Sequence, residues 1–510
     1  MPNNCCCARC AAPWGAVREH AGPGHGARLD QGTTSSRAIA FGVDGTQLAL
    51  AQHEFTQHFP QPGWVEHDPL ELLATQLRAM EGAWQAAGCG DVVAMGITNQ
   101  RETVVVWDRA TGAPVHRAIV WQDRRTAAAL AELKARSGVE QRAREACGLP
   151  LDPYFSASKI AWILDHVAGA RAAAEAGRLC AGTIDTWLLW HLTRGASFAT
   201  EPSNASRTGL MDLRTGTWSE ELCALHRVPA RLLPAILPSD ARFGAVTGRG
   251  WVVHGMLGDQ QAALFGQSCL EPGSAKCTYG TGAFVLANAG SAVPVPRDGL
   301  LATVAWRTGT ATTYALEGSV LVCGAAVQWL RDGLGILRSS ADLEPMARSV
   351  PDSGGIVFVP AFAGLGTPHW DPDARGLLVG ITRGTRREHV ARATVEAMAL
   401  QVDDVLAAMA GSRGAPLAEL RVDGGAAANL LLLELQAALL GADVVRPAQL
   451  ECTAFGAFRM ALHGASGLPA ARLPVLPGGT VRIRPDAAVP VATLRARWRE
   501  AVRRAGHWAG

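Results

Sequence analysis

At 510 residues, with 48% hydrophobic, 18% charged and 6% aromatic side chains, the chain is long enough for two or three domains with sizeable cores, and disorder over most of its length is excluded. Its 47 basic and 45 acidic residues leave a formal charge of +2, which excludes the broad basic footprint of a nucleic-acid binder. No run approaches the ~18 apolar residues that cross a bilayer, and the N-terminus lacks an uninterrupted apolar segment of signal-peptide type, so no membrane insertion and a cytoplasmic location are expected. Cys5, Cys6, Cys7 and Cys10 crowd the N-terminus without the paired CxxC spacing of a zinc site; the other eight cysteines are scattered singly and read as reduced core residues.

Along the chain, Ala38 to Leu50 is apolar apart from Asp44-Gly45, a hairpin signal between two strands. A helical stretch from Pro69 to Ala87 precedes strands over 92–97 and 103–107, and helices are predicted over 128–144, 158–167 and 186–192. A second cycle begins near Gly266. Strands are predicted over 277–286, 312–316 and 420–422, with helices over 320–330, 389–409 and 430–440. Two α/β halves meeting around residues 255–270, with a cleft between them for a small ligand, account for the length.

Three glycine turns carry candidate chemistry. Asp30-Gln31-Gly32-Thr33-Thr34-Ser35-Ser36-Arg37 places a carboxylate, a glycine and four hydroxyls together; backbone N–H groups and hydroxyls can hold phosphate oxygens, and Asp30 can hold a hydrated Mg²⁺. Alone, Asp-x-Gly-Thr is also an ordinary turn. A second hairpin, Thr278-Tyr279-Gly280-Thr281-Gly282, and a strand ending in Asp423-Gly424-Gly425-Ala426 add two more such turns in the second half, and together they point to a nucleotide clasped between domains. No G-x-x-x-x-G-K-[ST] run occurs and the H-R-D and D-F-G triplets are absent, which excludes P-loop and protein-kinase folds.

The segments LDQGTTSSR (29–37), PGWVEHDP (62–69), GITNQRET (96–103), IVWQDRRT (119–126), DPYFSASKI (152–160), NASRT (204–208), GDQQAALFGQ (258–267), YGTGAF (279–284), QWLRD (328–332), GLGTPHWDP (364–372) and VDGGAAAN (422–429) stand in unbroken order. On these the chain resembles the glycerol kinases of the sugar and polyol kinase family. The resemblance implies an α/β fold of two ribonuclease H-like (actin/hexokinase-like ATPase) domains, with mixed sheets flanked by helices around an interdomain cleft. It divides the chain into an unmatched tail (1–27), a substrate and metal domain (28–265) and a nucleotide domain (266–500).

The implied activity is ATP-dependent phosphorylation of glycerol to sn-glycerol 3-phosphate with Mg²⁺, by a homo-oligomer (dimer or tetramer). Asp259 matches the catalytic base, a task for which a carboxylate suffices, although Asp is equally apt as a helix N-cap. Arg101 and Glu102, with Tyr154 and Gln260, match the polyol-binding set; ionised Glu accepts and Arg donates, which together serve a hydroxyl's two capabilities. Trp121 and Phe284 match aromatic positions over the carbon side of glycerol, though by burial pattern alone both read as core. Thr33, Thr34, Ser35 and Arg37 match positions around the terminal phosphates. Thr281, Gly324, Gln328, Gly425 and Asn429 match nucleotide contacts, Gly324 and Gln328 sharing one helix face at i and i+4. Asp30 and Asp259 are the implied metal positions.

The chain also departs from the family. Gly22 to Arg28 is a poor strand by propensity, so the central strand that should position Asp30 is expected to be missing or badly formed. Residues 1–27 read as unselected sequence, as from a shifted reading frame or misassigned start. The link from Phe243 to Gly258 lacks the Gly-Lys-Gly-Gly loop of members regulated by a sugar bisphosphate, so no such regulation is expected. Phe458 and Arg459 stand on a helix where small residues are usual, which puts the packing there in question. Two alternatives remain: another polyol or ketose kinase of this fold, and a catalytically impaired binding or scaffold paralogue.

Overall fold

The computed structural model describes residues 25–413 and 417–508; the N-terminal cysteine cluster lies outside the described residues. Strands β1 (His25–Gln31), β2 (Ser35–Gly42) and β3 (Gln47–Glu54) form an antiparallel meander that turns at Gly32 and, as predicted, at Asp44-Gly45. Helix α1 (Pro69–Ala86) starts where the Asp68 carboxylate accepts the N–H of Leu70 at 2.8 Å and Pro69 supplies a pre-set φ. Strand β4 (Val92–Asn99) then pairs parallel with β1, and β5 (Val104–Asp108) joins a separate four-stranded sheet.

The helix expected over 128–144 is two helices, α2 (Ala127–Lys134) and α3 (Val139–Cys147). The break is Gly138 at φ 72°, a left-handed conformation that stops helical propagation. Helices α4 (Ser156–His166) and α5 (Ile184–Leu192) lie where predicted. Strand β6 (Val252–Gly258) pairs parallel with β4 and leads directly into α6 (Asp259–Gly266). The resulting six-stranded sheet has the order Gly244–Ala245, β6, β4, β1, β2, β3.

The second half repeats this plan. Its elements are β7 (Ala275–Tyr279), β8 (Ala283–Gly290), β9 (Leu301–Thr308), β10 (Ala311–Val320), α7 (Gly324–Gln328), α8 (Arg387–Arg413), β11 (Glu419–Asp423), α9 (Leu430–Leu440), β12 (Asp443–Pro447), α10 (Cys452–Ser466) and β13 (Thr480–Ile483). The sheet order is β9, β10, β8, β7, β11, β12, β13, with β7 antiparallel to β8 and parallel to β11, as β1 is to β2 and β4. The strand predicted over 277–286 is thus two strands around Gly280. The helix predicted from Val320 begins only at Gly324, because Val320 still pairs with Ala283.

Helices α6 and α10 cross where Gly266 and Gly456 meet; a Cβ on Gly456 would overlap the backbone of Ala262. Phe458 of α10 is fully buried and stacks on Phe41 of β2 at 4.8 Å. Arg459 is buried as well. It donates to the carbonyls of Phe265 (2.6 Å) and Ala470 (2.9 Å) and to Ser268 Oγ (2.8 Å), and burial pulls its pKa down to about 10. The helix therefore packs despite its large residues.

The expectation of a missing first strand is overturned from residue 25 onward. Residues 25–31 pair on both sides, with β2 and with β4, and ladder bonds from two neighbours outweigh weak intrinsic propensity. Gly26 has a packing role: a Cβ there would overlap the Phe458 ring, so the poor strand former and the oversized helix residue accommodate each other. Arg28, by contrast, is wholly buried, and burial pulls its guanidinium below the ordinary value against the attraction of Asp30. Its one ion pair among the described residues is to Asp30, Nη2 to Oδ2 at 2.8 Å.

Candidate active site

Five separate segments bring the residues predicted for the alcohol site together. Glu102 sits between β4 and β5 at φ 62°, in a three-residue turn closed by a hydrogen bond from Thr103 N–H to the Arg101 carbonyl at 2.7 Å. A non-glycine residue in that region stores strain of the kind concentrated at functional sites. Arg101 gives Nη1 and Nη2 to the two carboxylate oxygens of Glu317 at 2.6 and 2.9 Å, leaving Nε 3.2 Å from Asp259 Oδ1 and 3.8 Å from Glu102 Oε1. Arg207 Nε donates to Glu102 Oε1 at 2.5 Å.

Asp259 opens α6, and its carboxylate accepts the N–H of Gln260 at 2.7 Å. The side chain is 30% exposed. Desolvation pushes its pKa up to about 6; Arg101 opposes this and Glu102 adds to it. Such a carboxyl is basic enough to take a proton near neutral pH.

Three aromatic rings close the site. Trp121 lies edge-on to Tyr154 at 5.5 Å and to Phe284 at 6.2 Å, so the second half supplies one wall. Trp121 Nε1 donates to Thr33 Oγ1 at 3.1 Å, which ties the alcohol site to the first phosphate hairpin. Gln260 is held from below by the buried Lys276 ammonium, which also donates to Thr278 Oγ1 at 2.9 Å.

In the first hairpin, Asp30 is 7% exposed and faces Arg28 at 2.8 Å and Arg37 at 4.0 Å. Arg37 also pairs with Glu451 at 2.6 Å. Gln57 and Gln100 donate to the carbonyls of Thr33 and Gly32 at 3.1 and 3.0 Å, and Gln57 in turn bonds the His67 ring at 2.8 Å. Ser35 is buried and receives Gln52, while Thr34 is exposed.

A cavity of about 630 Å³ lies in the second half. Thr281, Gly324, Gln328, Gly425 and Asn429 all line it, so every nucleotide position predicted for this half converges. Thr33, Thr34, Ser35 and Arg37 do not line it. Gly424, next to the lining residue Gly425, adopts φ 87°, and a Cβ there would lie 2.5 Å from the Tyr279 carbonyl, so only glycine lets the two turns touch. Ser340, Ala341, Leu343, Glu344 and Met398 complete the wall and carry no motif in the sequence. Glu344 accepts the N–H groups of Leu430 and Leu431 at 2.9 and 3.2 Å, capping α9 beside Asn429. Only a carboxylate-at-helix-start signal could have pointed to it, and the partners lie 86 residues apart.

Among the described residues, no group of three or more His, Cys, Asp or Glu converges to cage a metal. The two implied metal positions, Asp30 and Asp259, are single carboxylates that face Arg28 and Arg101, and one or two such carboxylates beside phosphate oxygens and water are the donors Mg²⁺ usually takes.

Residues 27–266 match the N-terminal domain, and residues 275–465 the C-terminal domain, of the FGGY family of carbohydrate kinases. The chain belongs to that family. Among similar members, a glycerol kinase of Alkalilimnicola ehrlichii is 54% identical over 487 residues, covering 94% of this chain and 98% of that protein. A glycerol kinase of Trichlorobacter lovleyi is 56% identical, covering 85% and 88%. In three dimensions, a Plasmodium falciparum glycerol kinase crystallised with ADP superposes with a TM-score of 0.87 at 30% identity over 95% of this chain and 98% of that one. A xylulose kinase from Rhodospirillum rubrum shares the fold, with a TM-score of 0.81 at 24% identity over 93% and 97%. The expected two-domain actin/hexokinase-like architecture with mixed sheets is thus present. No helix among the described residues is long and apolar enough to cross a membrane.

Proposed function

We propose that this FGGY chain transfers the γ-phosphoryl group of ATP to glycerol, giving sn-glycerol 3-phosphate and ADP. The observation that carries the reading is the meeting of Arg101, Glu102 and Asp259 at one end of a cleft walled by Trp121, Tyr154 and Phe284. Asp259 orients the reacting hydroxyl and takes its proton as the new O–P bond forms and the bond to the ADP oxygen breaks. Arg101 Nε and the Glu102 carboxylate receive the other hydroxyls, and the aromatic rings cover the carbons and exclude water. Thr33, Thr34, Ser35 and Arg37 address the terminal phosphates, while the second-half cavity takes the nucleoside. Asp30 and Asp259 are the residues that would hold Mg²⁺, which would supply neutralisation of phosphate charge.

The test is coupled detection of ADP with glycerol, dihydroxyacetone, erythritol and xylulose. Glycerol is expected to give the highest kcat/KM, and preference for a pentulose overturns the choice of substrate. Asp259→Ala is expected to lower kcat by roughly 10²–10⁴-fold with less effect on glycerol affinity. Equal turnover in that variant would assign the base elsewhere. No feature of the site favours an impaired binding paralogue. We further infer a cytoplasmic homo-oligomer whose rate is insensitive to fructose 1,6-bisphosphate, checked by light scattering and by titration of activity.

A further inference from the structure

Glu317 belongs to no motif of the alcohol site, yet three of that site's residues depend on it. It lies on β10, where it pairs with Leu286 and Leu301, and it is fully buried. Both of its oxygens face guanidinium groups from the first half of the chain: Arg101 bidentate at 2.6 and 2.9 Å, and Arg207 Nη2 at 3.2 Å. Each guanidinium carries the constraint further. Arg101 turns Nε toward Asp259 and Glu102, while Arg207 donates to Glu102 and lies over the rings of Tyr154 (5.3 Å) and Phe155 (5.2 Å). Two carboxylates and two guanidiniums thus neutralise one another beneath the cleft. A bidentate carboxylate fixes a guanidinium in plane as well as in position. Arg101 keeps little freedom beyond aiming Nε into the site.

We propose that Glu317 is a positioning residue for the alcohol substrate: a carboxylate supplied by the second half of the chain that holds Arg101 and Arg207 of the first half so that Arg101 Nε, Glu102 and Tyr154 face the cleft. It touches neither substrate, and its influence is on alcohol binding. This rests on the proposed glycerol reading.

Steady-state kinetics of wild type, Glu317→Gln and Glu317→Asp, with glycerol and ATP varied separately and melting curves recorded alongside, tests the assignment. Truncating one member of a buried hydrogen-bonded charge pair is expected to raise the glycerol KM of Glu317→Gln roughly 30-fold or more, with the ATP KM changed less than about three-fold. Glu317→Asp, which keeps the charge but withdraws the oxygens by one methylene, is expected to recover part of the loss. A folded Glu317→Gln with unchanged glycerol KM overturns the proposal. So does an equal rise in both KM values, or a lowered melting temperature with only kcat reduced, as a merely structural residue would give. Should Glu317→Gln not fold, Glu317→Asp carries the test, and a wild-type glycerol KM in it is overturning. A wild-type chain that releases no ADP with glycerol removes the functional reading itself, and this proposal with it.

Discussion

The two hairpins flanking the cleft carry a buried cation at the same place, four residues before the turn glycine: Arg28 before Gly32 and Lys276 before Gly280. Their surroundings differ. Lys276 reaches Gln260, Thr278 and the Phe284 carbonyl, and it is attracted by the buried carboxylate of Asp423. Arg28 has its ion pair with Asp30, but Nε, Nη1 and Nη2 make no hydrogen bond among the described residues. Equivalent sites in two repeats thus show that burying a charge is tolerable when acceptors surround it and costly when they do not. The tips differ as well. Backbone bonds hold the second tip, Gly324 N–H to the Gly280 carbonyl and Ala325 N–H to that of Thr281, whereas the first adds the side chains of Gln57 and Gln100 to a backbone bond from Gln100 N–H to the Gln31 carbonyl.

Lys276→Met should give the largest change. It removes the charged donor to Gln260 and Thr278, hydrogen bonds worth about 1.5–3 kcal/mol each, a loss of about 3–5 kcal/mol and hence roughly 6–20 °C in Tm, read by calorimetry. A melting temperature within 2 °C of wild type, on the order of the smallest shift that 1 kcal/mol produces, would mean that the acceptors around Lys276 contribute little.

Arg28→Leu should also lower stability, but by less. It removes the partner of the 7%-exposed Asp30, while Arg37 stays 4.0 Å from that carboxylate and a guanidinium with unpartnered nitrogens goes with it, so a loss of about 1–3 kcal/mol is expected in calorimetry. A variant that melts at or above the wild-type temperature would show that the burial of Arg28 outweighs its pair with Asp30.

The smallest effect is a pH dependence. Burial lowers the His67 pKa from its ordinary 6.5 to about 3, so this neutral ring favours folding fully above about pH 6.5, and its contribution is lost progressively as pH falls toward 3. Each pH unit in that window removes up to about 1.4 kcal/mol from this group. The slope of Tm against pH between 6.5 and 5 should flatten in His67→Asn, and an unchanged slope would assign the acid sensitivity to other groups.

Much of the site was legible because its residues sit in short segments whose backbone requirements are local. Gly280 and Gly424 mark turns, Asp68-Pro69 starts a helix, and Asp259 opens one; a contiguous stretch of sequence states each of these. The second-half cavity gathers all five positions that the resemblance assigned to that half. What local reading misjudged was β1, the middle of the 128–144 element and the start of the 320–330 element, where ladder pairing or a left-handed glycine overrode propensity.

By itself, the sequence determined the two-fold repeat and the turn glycines, which follow from spacing, while the resemblance carried by its motifs named the base and the aromatic side chains. Tertiary structure alone decided which charges meet. Arg101 finds Glu317 216 residues away, Gly26 accommodates Phe458, and Arg28 is buried against Asp30. A side chain's partner across a sheet or cleft depends on how whole layers pack, and no stretch of neighbouring residues encodes that distance.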